Sequence, residues 1–543
     1  MKSATHWPKH IFLVATSNTA HHHKPTRESM GSKAFNLLRM ANIGLPVPPA
    51  LVIGTHYTQS PDECMLPVFA VGLPALQEAA GLVFGDVRAP LIVSVRSGAP
   101  VSMPGMMETL LNVGLCDETL PGLLRQTGNP RLVWDAYRRL IASYGEVVAG
   151  LPGSLFEKEI ERTTQGRDER QLDFSELREL TRLFLSIYQQ NAGSAFPQDV
   201  NAQLTGAIRA VFASWQADKA QAYRRLNNIN SDMGTAVTIQ SMVFGNAGGH
   251  SGAGVGFTRD PTTGEQRLWV DFLANAQGED VVSGRRNAHG HEMLASVAPI
   301  AWRKLEESAT ALEREFTDMQ DFEFTVQDGA LYMLQTRSGK RTPLATARIA
   351  IDLMDEGVID AATALERTKE LQEQDIGTVR LAALQNSQSE SKPVARATPA
   401  CPGVASGEIA LDGERAASRA GEGITIVLVR QDAETSDIVA LESAVGLLTQ
   451  RGARTSHAAV VARQLGKVCI VGCETLQIDL AARTIRLGEM VLHEGDVITL
   501  DGNEGAVYFG TVAAVMVPDE ALRGRLRALQ TSETAAHHKK NAT

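Results

Sequence analysis

The chain has 543 residues, 43% of them hydrophobic and 21% charged, with a formal net charge of −10, room for about three or four globular domains of ordinary composition. That acidic balance argues against a general nucleic-acid binder and leaves room for a local basic cleft for a nucleotide. Cys64, Cys116, Cys401, Cys469 and Cys473 form no CxxC pair, and the apolar run Ile11 to Ala15 is too short to span a membrane, so a cytoplasmic protein with free structural thiols is expected.

Residues 1–28 are polar, with His21, His22 and His23 in a row, and read as a flexible leader able to bind a stray metal ion. Order is expected from Gly31-Ser32-Lys33, which opens a helical pattern through Phe35, Leu37, Leu38 and Met40. Gly44, Pro46 and Pro48 then lead into the strand-like run Ala50 to Ile53. Lys33 by itself is equally a solvated helix-start lysine. Leu91 to Val95 is a buried-strand pattern delivering Arg96 beside a Ser/Gly/Pro/Met loop that contains Met103. A planar guanidinium at such a strand exit suits a polyphosphate. From about 129 to 227 the pattern is helical, with Leu204, Ile208, Val211, Phe212 and Trp215 spaced for one buried face.

The segment 234–284 pairs strand patterns around a glycine-rich tip at Gly245 to Gly256. Such a tip suits either a phosphate lid or a plain hairpin, because it lacks the GxxxxGK[ST] spacing. In MQDFEFTVQDGALYMLQTRSGKRT, Asp321 and Glu323 are two apart on one predicted strand, and Gln335 and Arg337 two apart on the next. Each pair therefore points to one face. Two carboxylates and an amide oxygen suit Mg²⁺, and Arg337 could neutralise a transferring phosphate; a polar, ion-paired sheet face is the simpler alternative. Helices are expected after Arg341, followed by a polar linker at 385–393. The last strands and helices end near Gly510.

Within that last domain, LLTQRGARTSHAAVVARQLGKVCIVGC reads as a strand from Val445 to Thr449, a turn, a helix entered through Thr455-Ser456-His457, and a strand from Val468 to Val471. His457 then sits at a helix N-terminus, where unpaired N–H groups and the dipole favour a phosphorylated ring. Imidazole titrates near neutrality and is both a nucleophile and a leaving group. Thr455, Ser456, Arg451, Arg454 and Arg463 could supply further donors. Taken alone, Ser456 is also an ordinary N-cap and His457 a first-turn residue.

TSHAAVVAR in its frame LTQRG…TSHAAVVAR…GK resembles the phosphohistidine motif of the pyruvate phosphate dikinase and phosphoenolpyruvate synthase family. GSKAFNLLRMANIGLPVPPALVI, SVRSGA…SMPGMM and FLANAQGEDVVSG resemble its nucleotide domain. The resemblance covers about 31–510 and implies an α/β and α+β multidomain chain. An ATP-grasp nucleotide-binding domain (29–340, with a helical insert at 129–227) is followed by a helical connector (341–395), a swivelling β/α phosphohistidine domain (396–512) and a tail (513–543). It implies that Lys33 and Arg96 hold ATP phosphates, that Met103 lies near the adenine, and that Gln240 and Glu279 line the nucleotide site. It further implies that Asp321, Glu323 and Gln335 surround Mg²⁺ and phosphates, that Arg337 is catalytic, and that His457 is phosphorylated. At Ala453-Arg454 the chain departs from the family, which usually has a second glycine and a small or apolar residue there. The family's large barrel with its phosphoenolpyruvate/pyruvate site has no counterpart in this sequence. The expectation is therefore an ATP-dependent phosphotransferase that releases AMP, with phosphate or water taking the γ-phosphoryl group. Its acceptor, pyruvate or another small molecule, would sit on a separate subunit. Two alternatives stay open: an enzyme for a different small acceptor, for which 341–391 is short, and a regulatory phosphocarrier. Thr455 stands where some relatives are regulated by phosphorylation. Neither nucleic acid nor membrane is an expected partner.

Overall fold

The computed structural model describes residues 7–16, 20–101, 103, 106–282, 290–382, 392–432, 438–452, 454 and 456–540. Thr455, Ala453 and most of the expected linker lie outside the described residues. The chain divides into two compact units, one of residues 1–251 with 325–336, the other of 252–324 with 337–543.

The first unit is built on a six-stranded sheet in the order Ala20–His21, Ile11–Val14, Ala50–Ile53, Ala236–Ser241, Val93–Gly98, Thr109–Val113, with every neighbouring pair antiparallel. The expected leader is thus corrected from Ile11 onward. IFLV is a run of four buried residues pairing with Ala50–Ile53, and a short apolar run next to a strand of the same character buries more area in a sheet than as a free arm. The helix expected from Gly31 begins earlier, at Arg27, capped by Thr26, whose side chain accepts from Ser29 N. The helical insert is present: Pro130–Val147 and Phe174–Ala192 contribute Tyr137, Leu140, Leu180 and Phe184 to the core shared with the sheet.

In the second unit, a four-stranded sheet runs Trp269–Ala274, Gly252–Phe257, Gln320–Gln327, Ala330–Ser338, the hairpin tip 325–336 clustering with the first unit. Helix Pro343–Asp355 buries Ala345, Ile349 and Leu353 against Phe257 and Met319. Arg259, fully buried, donates to Glu313 at 2.9 Å and to Glu356 at 2.8 Å. These contacts explain why 252–324 clusters with residues 337–543 and not with residues 1–251.

The domain toward the C-terminus has an eight-stranded sheet ordered Ala395–Arg396, Ala506–Phe509, Val497–Asp501, Val404–Ala410, Ile426–Arg430, Gly446–Thr449, Val468–Val471, Thr398–Cys401. The four neighbouring strands from Val404–Ala410 to Val468–Val471 are parallel, so their connections must cross over, and helices Gly413–Gly421, Ile438–Ser443 and His457–Gln464 do this. One face packs on a three-stranded sheet through Leu476, Ile485, Leu487 and Leu492, the other beneath the helices through Leu428, Leu447, Ala459 and Ala462.

The tail expected after 512 is also corrected. Ala514–Pro518 pairs antiparallel with Gly377–Leu381, and helix Glu520–Lys540 buries Leu522, Leu526 and Leu529 against Leu344, Ala347 and Ile351. The spacing i, i+4, i+7 marks one apolar helix face, which a reading by charge content overlooks. All five cysteines are free and buried. Among the described residues no helix is long and apolar enough to cross a membrane.

Candidate active site

In the first unit, two glycines bring the start of helix Arg27–Asn42 onto the end of strand Val93–Gly98. Gly31 has φ 74° and ψ 156°, non-helical values within the helix, a region open essentially to glycine alone. A Cβ there would stand 1.8 Å from the Gly98 carbonyl oxygen. The next residue closes the joint: Ser32 donates to the Ala99 carbonyl from both its N–H and its Oγ, each at 3.0 Å. Lys33 and Arg96 consequently meet in one pocket, lined also by Ser97, Thr238, Gln240 and Gln335. Strand register explains the membership, since Arg96 pairs with Thr238 and Ser94 with Gln240. Gln335 is carried in by the hairpin tip, where Asn36 Nδ2 donates to Thr336 O at 2.8 Å.

Two cationic side chains ringed by amides and hydroxyls suit a polyphosphate. Four residues expected in a nucleotide site, Lys33, Arg96, Gln240 and Gln335, are thus gathered. Sequence reading misses Ser97 and Thr238. The Thr238 hydroxyl is buried with no hydrogen-bond partner among the described residues, a state that a ligand acceptor would relieve. Its available signal is the two-residue alternation with Gln240. Met103 goes elsewhere, packing with Ala99, Trp215 and Ala220 in an apolar cluster. Glu279 is exposed on the five-residue helix Gly278–Val282 and is not among the pocket's lining residues.

On the hairpin of the second unit, Arg337 Nε donates to Asp321 Oδ2 at 2.8 Å. Burial pushes the Asp321 carboxyl above its ordinary range, opposed by Arg337 and reinforced by Glu323. Burial also works against the Arg337 charge, but Asp321 and Glu323 outweigh it and hold that pKa raised. The Arg337–Asp321 hydrogen bond puts these two side chains on one face, which Glu323, two residues from Asp321 on its strand, shares. Gln335, two residues before Arg337 on the same strand, falls in the first unit with the pocket of Lys33 and Arg96. Among the described residues no group of three His, Cys, Asp or Glu side chains is arranged to hold a metal by itself. The two carboxylates of Asp321 and Glu323 still fit Mg²⁺, which commonly takes one or two carboxylates and completes its shell with phosphate and water.

The expected strand, helix and strand around His457 are present, as Gly446–Thr449, His457–Gln464 and Val468–Val471, while Ala453 and Thr455 of the expected turn lie outside the described residues. Ser456 is the N-cap, its Oγ accepting from Ala459 N at 3.4 Å, and His457 is the first helical residue. Arg463, from the last turn, is buried, and its Nη2 donates to Ala400 O at 2.8 Å and Arg454 O at 3.3 Å. It therefore braces the loop that precedes His457. Arg454 does not stand as a spare phosphate donor, since Nε and Nη2 donate to Asp271 Oδ1 at 2.9 and 2.8 Å. Arg451 faces Asp432 at 3.5 Å.

The family model described as "Pyruvate phosphate dikinase, AMP/ATP-binding domain" matches residues 75–300, and "PEP-utilising enzyme, mobile domain" matches 425–505. The chain therefore carries domains of the kinds found in pyruvate phosphate dikinases. It is 42% identical over 500 residues to pyruvate, phosphate dikinase of Clostridium symbiosum, covering 90% of this chain and 57% of that protein. The chloroplastic enzyme of Mesembryanthemum crystallinum is 41% identical over 500 residues, with 90% and 52% covered, and pyruvate, phosphate dikinase of Rhizobium meliloti is 40% identical over 508, with 90% and 56% covered. The chain spans little more than half the length of these dikinases. The pocket of Lys33 and Arg96 is built partly from strands within the AMP/ATP-binding match, and the helix of His457 lies inside the mobile-domain match.

Proposed function

We propose that this chain is an ATP-dependent phosphotransferase of dikinase type whose carrier is His457. The polyphosphate of ATP lies against Lys33 and Arg96, and a ring nitrogen of His457 attacks the β-phosphorus. The bond from that phosphorus to the oxygen of the α-phosphate breaks, AMP leaves with that oxygen, and the β,γ-pyrophosphoryl group stays on the histidine. Transfer of the γ-phosphoryl to inorganic phosphate gives pyrophosphate, or to water gives phosphate, and leaves phosphohistidine. Arg337 neutralises charge on the moving group, and the amide dipoles at the start of helix His457–Gln464 stabilise the phosphorylated ring. Asp321, Glu323 and Gln335 would hold Mg²⁺, which supplies charge neutralisation on the phosphate oxygens when bound. The phosphoryl group then passes to an acceptor presented outside these two domains, pyruvate or another small molecule, held on a separate subunit.

One observation carries the reading. Arg463, on the helix that begins at His457, sits 5.4 Å from the centres of the Phe257 and Trp269 rings, on strands of the same sheet that carries Asp321 and Arg337, so the candidate carrier helix and the Asp321–Arg337 pair are neighbours. The test is incubation with Mg²⁺ and ATP labelled at the β-phosphate, with and without inorganic phosphate. Wild type is expected to take up acid-labile label and form AMP, and His457→Ala to do neither. Absence of label on folded, ATP-binding wild type overturns the proposal. Adding pyruvate with candidate acceptor subunits, and measuring loss of label from His457, then tests the acceptor.

A further inference from the structure

Arg454, three residues before His457, is fastened to the four-stranded sheet of the same compact unit by a constellation that the reaction does not require. Arg454 places its guanidinium carbon 4.3 Å from the centre of the Trp269 ring while two of its nitrogens donate to Asp271 Oδ1 and Nη2 also donates to Val270 O at 3.2 Å. Asp271 is buried, its side chain 2% exposed, and that of Arg454 is 21% exposed. Arg463 sits 5.4 Å from the centres of both Trp269 and Phe257, rings that are themselves 5.4 Å apart. Its Nη2 holds the Arg454 carbonyl. Trp269, Asp271 and Phe257 belong to the two neighbouring strands Trp269–Ala274 and Gly252–Phe257, paired so that Trp269 stands opposite Phe257. Trp269 and Asp271, two apart, share one face of the sheet.

Each element of this contact is of a strong kind. A guanidinium fork on a desolvated carboxylate forms charge-assisted hydrogen bonds, and a cation over an indole face adds attraction that grows as water is excluded. The contact is also specific to side chains that lysine or a small apolar residue would not reproduce. Position 454 is where this chain departs from the family pattern, which usually has a small or apolar residue there.

We propose that Arg454 is a positioning residue, a latch that docks the mobile carrier domain onto Trp269 and Asp271 so that His457 is held for phosphorylation by ATP. This rests on the reading of His457 as the carrier. The latch belongs to the half-reaction with ATP, because a carrier that must later reach an acceptor has to release Arg454 from Asp271. Removing the latch therefore lowers the rate at which label from ATP reaches His457 without altering how ATP binds, since the Lys33–Arg96 pocket contains none of these residues.

The test is a double-mutant cycle of R454M, D271N and the two combined. R454M keeps an apolar stem over Trp269 and removes the charge and the fork, leaving the buried Asp271 carboxylate without Arg454; a denaturant curve for each variant, and the double variant in which that buried charge is also gone, separate loss of the latch from loss of fold. Single-turnover labelling of His457 from β-labelled ATP is expected to slow about tenfold in R454M, with the ATP concentration for half-maximal rate unchanged. The double variant should be no slower than the slower single one, because the lost interaction is shared. Docking is read separately from energy transfer between fluorophores on E307C and Q477C, both exposed positions, the native cysteines being buried. R454M is expected to broaden and lower the transfer efficiency even in the absence of ATP. Unchanged transfer and labelling within twofold of wild type in R454M would overturn the latch, as would effects of the two single changes that simply multiply. If wild type takes no label at all, the phosphocarrier reading fails by itself, and the energy-transfer arm still decides whether Arg454 docks the domain.

Discussion

At the scale of single residues, the pocket depends on a glycine more than on its charged lining. Lys33 and Arg96 come from segments more than sixty positions apart, and they meet because Gly31 lets the helix start press on Gly98. Gly31→Ala is expected to cost about 1–3 kcal/mol of stability from backbone conformation alone. It should also weaken ATP binding severalfold, because the Ser32–Ala99 joint must open to relieve the overlap. Isothermal titration with ATP beside a denaturant curve measures both, and intact binding with unchanged stability would contradict this account. The lysine, the strand-exit arginine and the histidine motif are legible as residues. Thr238 is not, since a threonine on a strand is ordinary until a pocket opens beside it. Arg454 looks like a phosphate donor in the sequence, which shows a cation near His457 and cannot show the buried carboxylate that claims it.

At the scale of elements, periodicity serves where one apolar face repeats, and fails where an element is short or charged. The strands and helix around His457, the helices of the insert and the Asp321–Arg337 hairpin match the predicted pattern within a few residues. The strand Ile11–Val14 and helix Glu520–Lys540 look like a leader and a tail in the sequence, because each buries its apolar face only against partners distant along the chain. The C-terminal helix has measurable weight: Leu526 is fully buried among Leu344, Ala347 and Ile351, and Leu526→Ala should destabilise by about 2–5 kcal/mol. Chemical denaturation monitored by far-UV circular dichroism would detect this, and a change below about 1 kcal/mol would mean that the helix packs only loosely.

For the whole molecule, the division of the chain runs through the ATP-grasp region instead of after it, with 252–324 joined to the carrier half. The pocket lining lies entirely in the first unit. ATP without Mg²⁺, at a hundred times its Kd, should therefore stabilise that unit by about 2.7 kcal/mol. Calorimetry should resolve this as an upward shift of one transition with the other unmoved, and equal shifts of both would contradict it. The amino-acid sequence by itself determined which residues can do chemistry here, because the types and local spacing that bind phosphate, cap a helix or alternate on a strand act over a few residues. Only the tertiary structure decided which of them meet. It gathered Lys33, Arg96, Thr238 and Gln335, sent Met103 into an apolar cluster, and gave Arg454 to Asp271. Those outcomes depend on long-range packing and on the cost of leaving a buried charge unpaired, neither of which acts between neighbours along the chain.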